Sequence, residues 1–420
     1  MAELAYTVLA RKYRPRTFSD LVGQPHIVTA LSNAITTNRV AQAFLLTGSR
    51  GTGKTTTARL LASALNCPNR KGAEPCGECA SCMDITNGED LDVTEMDAAS
   101  NSRVDDIRDR LASVSTRPAR GRYRVFIIDE VHMLSTSAFN ALLKTVEEPP
   151  AHVKFILATT NPEKIPETIL SRCQRYDFRR VTMNEIVTRL EEICAAESAT
   201  PGQGLLRAVA EMVEGGMRDA LSRLDQLFAF CGLAPKLEDA ERVFGLVSRP
   251  KLLTLLEALV AGDAKAGILF AEEVFDSGKD VAEVLASLVS LTRTLLMVAA
   301  SGGDSMGLDV PSDELPRLKT VADRFGIHGL VYVAELLTDC RNRVRRAAFP
   351  RVVVETTLVK LALVGRLESL ENLLSRLDSA ADVPVTRVES PVAEDAPGKR
   401  EMSEKEQAAV DALKRKFGAR

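Results

Sequence analysis

The sequence predicts an α/β domain built on a parallel sheet, followed by segments that are entirely helical. Short runs typical of β-strands alternate with helical patterns up to about residue 182. Four runs predict strands, at residues 43–48, 92–98, 124–130 and 153–160. From about Val181 onward, apolar residues recur only at helical spacing, so we expect no further strand.

The bulk properties of the chain are those of a soluble protein with more than one domain. Its 420 residues exceed the usual size of a single hydrophobic core, and 45% hydrophobic with 26% charged residues is an ordinary composition. The formal net charge of −3 neither supports nor excludes contact with DNA. No signal region and no unbroken apolar run of about 18 residues is present, so we expect a cytoplasmic protein without a membrane span.

The helical half of the sequence divides further. Residues 183–242 predict a small helical domain, and residues 243–370 predict another whose long apolar stripes exceed what one bundle must bury. Part of that surface should therefore pack against other subunits. Residues 371–420 predict a flexible linker and a short helix with a capping box at Ser403. The basic end of this helix fits a solvated helix and a docking peptide equally well.

A phosphate-binding loop is the strongest motif in the sequence. It lies between the first predicted strand and a helical pattern, as the mechanism requires. Its glycines let backbone N–H groups curl around a phosphate, Lys54 can reach the β- and γ-oxygens, and the Thr55 hydroxyl can bind Mg²⁺. The predicted ATP-binding residues of this loop and the helix start are Gly48, Ser49, Arg50, Gly51, Thr52, Gly53, Lys54, Thr55 and Thr56.

An acidic pair at the end of the third predicted strand supplies the complementary half of such a site. Asp129 would hold Mg²⁺, usually through water, and Glu130 would orient and deprotonate the attacking water. Aspartate followed by glutamate after a strand is a weak signal alone, but it is a good one downstream of a phosphate loop. Together the two motifs predict an ATP hydrolase.

Two further polar positions have alternative explanations. Thr160 ends the fourth predicted strand, where a hydroxyl could report whether the γ-phosphate is present, or it could be an ordinary strand terminus. Arg172 could act as an arginine finger that neutralises transition-state charge on a neighbour's nucleotide. Without context, an arginine of this kind is more often part of a surface ion pair.

Four of the eight cysteines, Cys67, Cys76, Cys79 and Cys82, are concentrated in one short stretch. Four thiolates suit one tetrahedral Zn²⁺ with no open coordination position, so we predict a structural zinc module at residues 67–82. A redox pair or core thiols would not explain why the four lie together with Pro75. The remaining cysteines are scattered, which indicates a reduced compartment.

With these motifs in place, the chain resembles the gamma/tau subunits of bacterial DNA polymerase III, the AAA+ ATPases of the sliding-clamp loader. The resemblance covers about residues 4–365 and is most specific in VLARKYRPRTFSDLVGQ, the phosphate loop, the four-cysteine insertion, VFIIDEVHMLSTSAFNALLKTVEEPP and ATTNPEKIPETILSRC. It implies an AAA+ ATPase domain over residues 1–182, a helical lid over 183–242 and a helical collar for oligomerisation over 243–370.

The resemblance also implies roles for individual residues. Thr160 is implied to be the sensor of the γ-phosphate, Arg172 the finger acting on a neighbour, and Arg218 an arginine that contacts the nucleotide from the lid. The residues implied to lie near adenine are Arg11, Tyr13, Pro15 and Val22.

Partners follow from the same resemblance. It implies a pentamer containing delta and delta-prime subunits and further copies of this chain, which opens the beta sliding clamp when ATP is bound and releases it on primed DNA after hydrolysis. Ser102, Arg103 and Arg108 are candidates for contacts with the DNA backbone. Asn101 occupies a position where relatives often carry a basic residue, which weakens that assignment.

Two rival functions can be weighed on the sequence. A machine that threads its substrate through a pore usually needs an aromatic pore loop, and no aromatic residue lies between Phe44 and Tyr123. A scaffold that does not hydrolyse nucleotide would not need Lys54, Thr55 and the acidic pair, all of which are present. Both rivals therefore fit less well than a clamp-loader ATPase.

Overall fold

The computed structural model describes residues 6–100, 114–245, 247–301 and 314–364. Five strands form one parallel sheet: β1 (Ala43–Thr47), β2 (Val93–Asp97), β3 (Arg124–Asp129), β4 (Val153–Thr159) and β5 (Gln174–Asp177). Their order is β2-β3-β4-β1-β5. The predicted parallel sheet is confirmed, and each of the four predicted strands ends one residue early because a loop begins there.

The strand β5 was not predicted from the sequence. It has only four residues, and three of their side chains are exposed, so it gives no apolar run. It pairs with β1 and extends the sheet beyond the strand that leads into the phosphate loop. Its short length and edge position explain why the apolar pattern missed it.

Helices cover both faces of the sheet. They are α1 (Leu9–Lys12), α2 (Pro25–Thr36), α3 (Lys54–Asn66), α4 (Ala80–Asn87), α5 (Thr136–Glu147) and α6 (Glu167–Leu170). Successive side chains of a strand point to opposite faces, so Ile127 of β3 packs in the core with α2 and α3, while Ile128 packs with α5. Burial on both faces is typical of a parallel sheet.

Residues 6–22, called the N-terminal strap below, contact both the sheet domain and the helices that come after it in the chain. The strap contains α1 and a short 3₁₀ helix, Phe18–Asp20. Leu9 of α1 is buried in the core of the next helical group, whereas Phe18 is fully buried in the core of the sheet domain. The strap therefore links two separate hydrophobic cores.

The described chain continues with two helical groups. The first comprises α7 (Met183–Ala196), α8 (Leu205–Glu211), α9 (Met217–Cys231) and α10 (Leu237–Phe244), which share one core. The second comprises α11 (Arg249–Val260), α12 (Ala264–Asp276), α13 (Val281–Ala300), α14 (Leu315–Val344), which is kinked at Gly326, and α15 (Pro350–Val364). The domain boundaries at residues 182 and 242 stay predictions.

Helix α13 is, among the described residues, the one helix long and apolar enough to cross a membrane by length and composition. Leu285, Leu288 and Leu295 on this helix are buried in the core of the second helical group. A core helix passes the same test of length and hydropathy, and 39% of the apolar window of this helix is buried inside the protein.

Several predictions concern residues outside the described part of the chain. Asn101, Ser102, Arg103 and Arg108, named for DNA contact, lie there. The predicted linker and helix at residues 371–420 lie there as well.

A buried carboxylate holds the start of β2 against the loop that leads into β3. The Asp92 side chain is 1% exposed and accepts backbone hydrogen bonds from Ala119 (2.6 Å), Arg120 (2.8 Å) and Gly121 (2.6 Å). Burial disfavours the charged carboxylate, but these three N–H donors stabilise it, and the pKa of Asp92 lies below its ordinary value.

We predict that Asp92→Asn lowers the free energy of unfolding by about 2–3 kcal/mol at pH 7, because charged acceptors are lost from buried N–H groups. The folded-state pKa is depressed, so this contribution is present above the unfolded pKa of about 3.9 and is lost as the pH falls through the folded pKa. Urea unfolding at pH 7 and at acidic pH measures the difference.

Asp84→Asn is the control, because Asp84 pairs with Arg120 of the same loop but is exposed, and such pairs contribute little. A gap between the wild type and Asp92→Asn that stays constant as the pH falls well below 4 would contradict the linkage.

Candidate functional site

The phosphate loop, residues 48–55, connects β1 to α3 in the described structure. Gly48 and Gly53 adopt φ angles of +145° and +101°, which side chains rarely allow. A Cβ atom on Gly48 would lie only 2.7 Å from the carbonyl oxygen of Phe178. The tight course of the loop between strand and helix therefore requires glycine at these positions.

The ammonium group of Lys54 lies inside this loop. Lys54 is 5% exposed, and its Nζ atom donates hydrogen bonds to the carbonyl oxygens of Gly48 and Ser49, each at 2.8 Å. Burial lowers the pKa of Lys54, while the carboxylates of Glu130 and Asp129 oppose that shift. The loop thus holds a buried cation where an anionic group can approach it.

The two residues predicted to bind a metal ion are in direct contact. Thr55 lies in the first turn of α3, and its hydroxyl donates to Asp129 Oδ2 at 2.5 Å. The other carboxylate oxygen of Asp129 accepts the backbone N–H of Glu130 at 2.9 Å. A hydroxyl and a carboxylate are oxygen ligands of the kind that Mg²⁺ prefers.

Glu130 has a strained backbone and a well-held carboxylate. Its φ of +46° lies in the left-handed region, which is unfavourable for a residue with a side chain. Its Oε2 atom accepts from the Thr160 hydroxyl at 3.1 Å and from the Thr160 backbone N–H at 3.3 Å. The strained turn directs the carboxylate toward the end of β4, beside the residue predicted to act as a sensor.

A histidine completes this group, and sequence reasoning missed it. The Nδ1 atom of His132 lies 3.3 Å from Glu130 Oε2 and 3.0 Å from the hydroxyl of Thr159. The ring therefore holds the ends of β3 and β4 together behind the acidic pair. In the sequence, the one sign of this role is that His132 lies two residues after Glu130, and that spacing is informative only once the backbone turn at Glu130 is known.

One cavity of about 550 Å³ brings most of the predicted nucleotide-binding residues together. The phosphate loop, the acidic pair, the strap and the first turn of α9 all contribute to its wall. The predicted residues that line it are Tyr13, Pro15, Val22, Arg50, Gly51, Thr52, Gly53, Lys54, Thr55, Thr56, Asp129, Glu130 and Arg218.

The remaining predicted residues stand apart from this lining. Gly48 and Ser49 do not line the cavity, but their carbonyl oxygens accept hydrogen bonds from the Lys54 ammonium, which does. Thr160 lies behind Glu130. Arg11 is exposed on α1 and is not among the residues that line the cavity, so its place near adenine stays a prediction.

Arg14, three residues after Arg11, lies in the cavity wall. Its side chain lines the cavity, and among the described residues its guanidinium has no hydrogen-bonded partner. Burial, then repulsion from Arg59, lowers the pKa of Arg14, and Arg218 adds to the repulsion. The strap turns at Pro15 immediately afterwards, and this turn, which the motif alone does not reveal, decides which arginine faces inward.

The first turn of α9 abuts the phosphate loop. The backbone N–H of Arg218 donates to the carbonyl oxygen of Gly51 at 3.4 Å. A Cβ atom on Gly51 would come within 3.1 Å of both Gly216 Cα and Asp219 Oδ2. This close approach delivers Arg218 from the helical group to the cavity.

Arg172 lies on the exterior of the chain. It follows α6, donates to the Thr168 carbonyl oxygen at 2.8 Å, and pairs with Glu147 at 2.9 Å. Its side chain is 40% exposed and does not line the cavity of its own chain. Within a single chain it is therefore a surface ion-pair residue.

The four clustered cysteines converge as predicted. Their Sγ atoms all lie within 4.8 Å of one another, with 4.0 Å between Cys76 and Cys82 and 3.9 Å between Cys67 and Cys79. Zinc–sulfur bonds of about 2.3 Å in a tetrahedron require sulfurs roughly 3.8 Å apart. The cluster therefore could bind zinc.

The protonation of these thiols depends on their surroundings. Backbone N–H groups of Glu78 and Cys79 lower the pKa of Cys76 to about 6. Burial raises the pKa of Cys67 and of Cys82. A bound divalent cation would favour the thiolate at every position, because metal binding displaces the protons.

Three protein-family models match successive parts of the chain. The model described as DNA polymerase III, delta subunit, matches residues 23–182. The one described as DNA polymerase III clamp loader subunit, ATPase lid domain, matches residues 185–233. The one described as DNA polymerase III subunits gamma and tau domain III matches residues 236–377.

Individual relatives give the same picture. DNA polymerase III subunit tau of Bacillus subtilis (strain 168) is 41% identical over 382 residues, covering 91% of this chain and 66% of the relative. Subunit tau of Escherichia coli (strain K12) is 40% identical over 393 residues, covering 92% and 60%. Subunit gamma of Buchnera aphidicola subsp. Baizongia pistaciae is 38% identical over 293 residues, covering 70% and 79%.

The chain thus spans less than two thirds of the length of these tau relatives and a larger share of the gamma relative. Identity of this level over most of the chain shows that it belongs to the gamma/tau subunit family of DNA polymerase III.

Proposed function

We propose that this chain binds ATP with Mg²⁺ and hydrolyses it as the motor subunit of the bacterial replicative clamp loader. The observation that carries the proposal is the convergence of Lys54, Thr55, Asp129 and Glu130 on one cavity of about 550 Å³. These residues come from two motifs that are far apart in the sequence. A phosphate loop that binds no ligand would not require a buried lysine and two carboxylates to lie in one cavity.

Each residue has a distinct task in this proposal. The backbone of the phosphate loop and Lys54 bind the phosphates, and Thr55 and Asp129 hold the metal ion. When bound, Mg²⁺ neutralises charge on the β- and γ-phosphate oxygens. Glu130 orients the attacking water and accepts its proton, and Thr160 holds the Glu130 carboxylate at 3.1 Å.

The strap and the helical groups would complete the nucleotide site. Tyr13, Pro15 and Val22 form the side of the cavity that we assign to adenine, with Arg14 beside it. Arg218, which reaches the cavity from α9, would contact the nucleotide from the lid domain over residues 183–242.

Assembly would make hydrolysis conditional on a neighbour. Arg172 is exposed and faces away from the cavity of its own chain, so a neighbouring protomer could receive its guanidinium. The collar over residues 243–370 also leaves large apolar side chains exposed, which suits contacts between subunits. These side chains are Ile268, Leu269, Met297, Ile327, Val331, Tyr332, Phe349, Val352 and Leu363.

The partners in this proposal are those of a clamp loader. They are the delta and delta-prime subunits, further copies of this chain, the beta sliding clamp and primed DNA. ATP binding would open the clamp and hydrolysis would release it on DNA, in the cytoplasm. Ser102, Arg103 and Arg108 stay candidates for DNA contact.

We assign the four-cysteine module to structural Zn²⁺ bound by Cys67, Cys76, Cys79 and Cys82. Four sulfur ligands leave no open position, so the ion would hold the module together and take no part in hydrolysis. The sulfur spacing described above supports this assignment.

Lys54→Ala tests nucleotide binding. We expect the Kd for ATP to rise by at least about 100-fold, because charged hydrogen bonds of roughly 3 kcal/mol or more are lost. Titration of the full chain with a fluorescent ATP analogue measures the Kd. Lys164→Ala, a change outside the cavity, is the control.

Turnover of the assembled wild-type complex tests the clamp-loader role. The rate of ATP hydrolysis should rise when clamp and primed DNA are added. A rate that responds to neither would favour the rival functions.

Arg172→Ala tests action on a neighbour. We expect unchanged ATP affinity but turnover lowered about 10³-fold or more in the assembled complex, as for other arginine fingers. Steady-state phosphate release measures the rate. Arg175→Ala, which removes another exposed ion-pair arginine nearby, should leave turnover unchanged. Normal turnover with Arg172→Ala would place the finger elsewhere.

Cys79→Ser tests the zinc assignment. We expect the zinc content to fall from about one ion per chain to near zero, because three sulfurs no longer close the tetrahedron. Atomic absorption on protein purified without chelators measures it. Cys231→Ser lies outside the cluster and should retain the ion. Equal zinc content in both variants would show that the four-cysteine module does not bind the zinc.

A further inference from the structure

The N-terminal strap forms one wall of the nucleotide cavity. Seven of its residues line the cavity: Ala10, Tyr13, Arg14, Pro15, Asp20, Leu21 and Val22. The phosphate loop is fixed by its own glycines and by β1 and α3, whereas the strap has no strand of its own. The shape of this wall therefore depends on what holds the strap at its two ends.

The first end is attached to the helical group that follows the sheet. The Tyr13 hydroxyl donates to Glu197 at 2.6 Å, and the backbone N–H of Leu9 donates to Asp225 at 3.2 Å. The Tyr6 hydroxyl also donates to Asp225, at 2.5 Å. These contacts join α1 and the residues beside it to the end of α7 and to α9, so this end of the strap is attached to the helical group.

The second end is attached to the four-cysteine module through one side chain. The carboxylate of Glu74 accepts the backbone N–H of Phe18 at 2.7 Å and that of Ser19 at 3.1 Å. These are the first N–H groups of the 3₁₀ helix Phe18–Asp20, which have no partner within the helix.

Glu74 is itself held by the fold of the module. Lys71 and Glu74 exchange two backbone hydrogen bonds, both 3.0 Å long, which close a tight turn. Two residues later the backbone N–H of Cys76 donates to Cys67 Sγ at 3.4 Å. The turn that presents Glu74 is thus continuous with the sulfur cluster.

The contact lies next to the cavity. Asp20, Leu21 and Val22 complete the 3₁₀ helix and the residues after it, and all three line the cavity. The Leu21 side chain lies 3.7 Å from where a Cβ atom on Gly53 would be, so it covers the phosphate loop. A shift of the 3₁₀ helix would move this wall directly.

We infer that Glu74 is a positioning residue for nucleotide binding, and that through it the four-cysteine module anchors the strap wall of the cavity. The inference rests on the proposed binding of ATP. Without the Glu74 carboxylate, Phe18 would still be buried in the sheet core, but the backbone N–H groups of Phe18 and Ser19 would lose their acceptor. The 3₁₀ helix would then be held less firmly, and its binding position would be populated for part of the time.

A purely structural role for Glu74 makes a different prediction. General destabilisation would weaken every ligand of the cavity alike. Release of the strap should weaken a ligand that meets the whole strap wall more than one that lies chiefly in the phosphate loop. ATP and inorganic triphosphate form such a pair, since the latter lacks the base and sugar.

The test uses the full chain with Glu74→Ala, Glu74→Gln and the control Glu78→Ala, which removes an exposed carboxylate of the same module. Calorimetric titrations give the Kd for ATP and for inorganic triphosphate. Hydrogen exchange reports the Phe18 and Ser19 amides, and zinc content reports the module.

With Glu74→Ala we expect the Kd for ATP to rise about tenfold, as when the binding position is populated about a tenth of the time. Triphosphate affinity should change much less than ATP affinity, zinc content should stay unchanged, and exchange of both amides should accelerate. Glu74→Gln keeps one acceptor oxygen and should lose less, and Glu78→Ala should match the wild type.

The inference is overturned if Glu74→Ala binds ATP within about twofold of the wild type, if triphosphate binding weakens equally, or if the two amides keep their protection. A wild-type chain that binds neither ligand would instead refute the proposed function, so the two failures are distinguishable.

Discussion

Parallel strands β1, β4 and β3 lie side by side, and their carboxyl ends therefore meet at one edge of the sheet. The loop after β1 carries Lys54 and Thr55, the end of β3 carries Asp129 and Glu130, and the end of β4 is followed by Thr160. The 2.5 Å contact between Thr55 and Asp129 exists only because β4 separates the two strands by a fixed distance. A metal ion held there would bind to both side chains in place of their direct hydrogen bond, and the sheet has already placed the two side chains close together.

The charge balance of the cavity indicates why a polyanion suits it. Lys54 is buried among carbonyl oxygens, and burial lowers its pKa. Arg14 lies close enough to Arg59 and Arg218 for their charges to lower its pKa further after burial has done so. Six cationic and five carboxylate side chains line the cavity, and the Arg59 guanidinium is paired with Glu95 at 2.6 Å, so the net positive charge of the lining is small. A triphosphate with its metal ion would relieve repulsion among the guanidinium groups, and part of its binding energy would come from that relief.

Local motifs predicted the sheet, the phosphate loop, the acidic pair and the sulfur cluster, because each depends on residues close together in sequence or on strand periodicity. Contacts set by tertiary structure were not predictable in this way. The position of Arg14 in the cavity wall depends on how the strap turns, and the His132–Thr159 contact depends on the adjacency of β3 and β4. Edge strand β5 lacked an apolar pattern altogether.

Coupling between the module and the cavity would act in both directions. If anchoring of the strap through Glu74 favours ATP, then bound ATP must favour the anchored strap by the same factor, because the binding free energies are linked. The other end of the strap is attached to α7 and α9, and α9 also carries Arg218 to the cavity. Nucleotide binding would therefore tighten the connection between a rigid sulfur-rich module and a helical group through one segment of 17 residues (6–22). On this proposal the module holds one end of the strap, while the other end follows the position of the helical group.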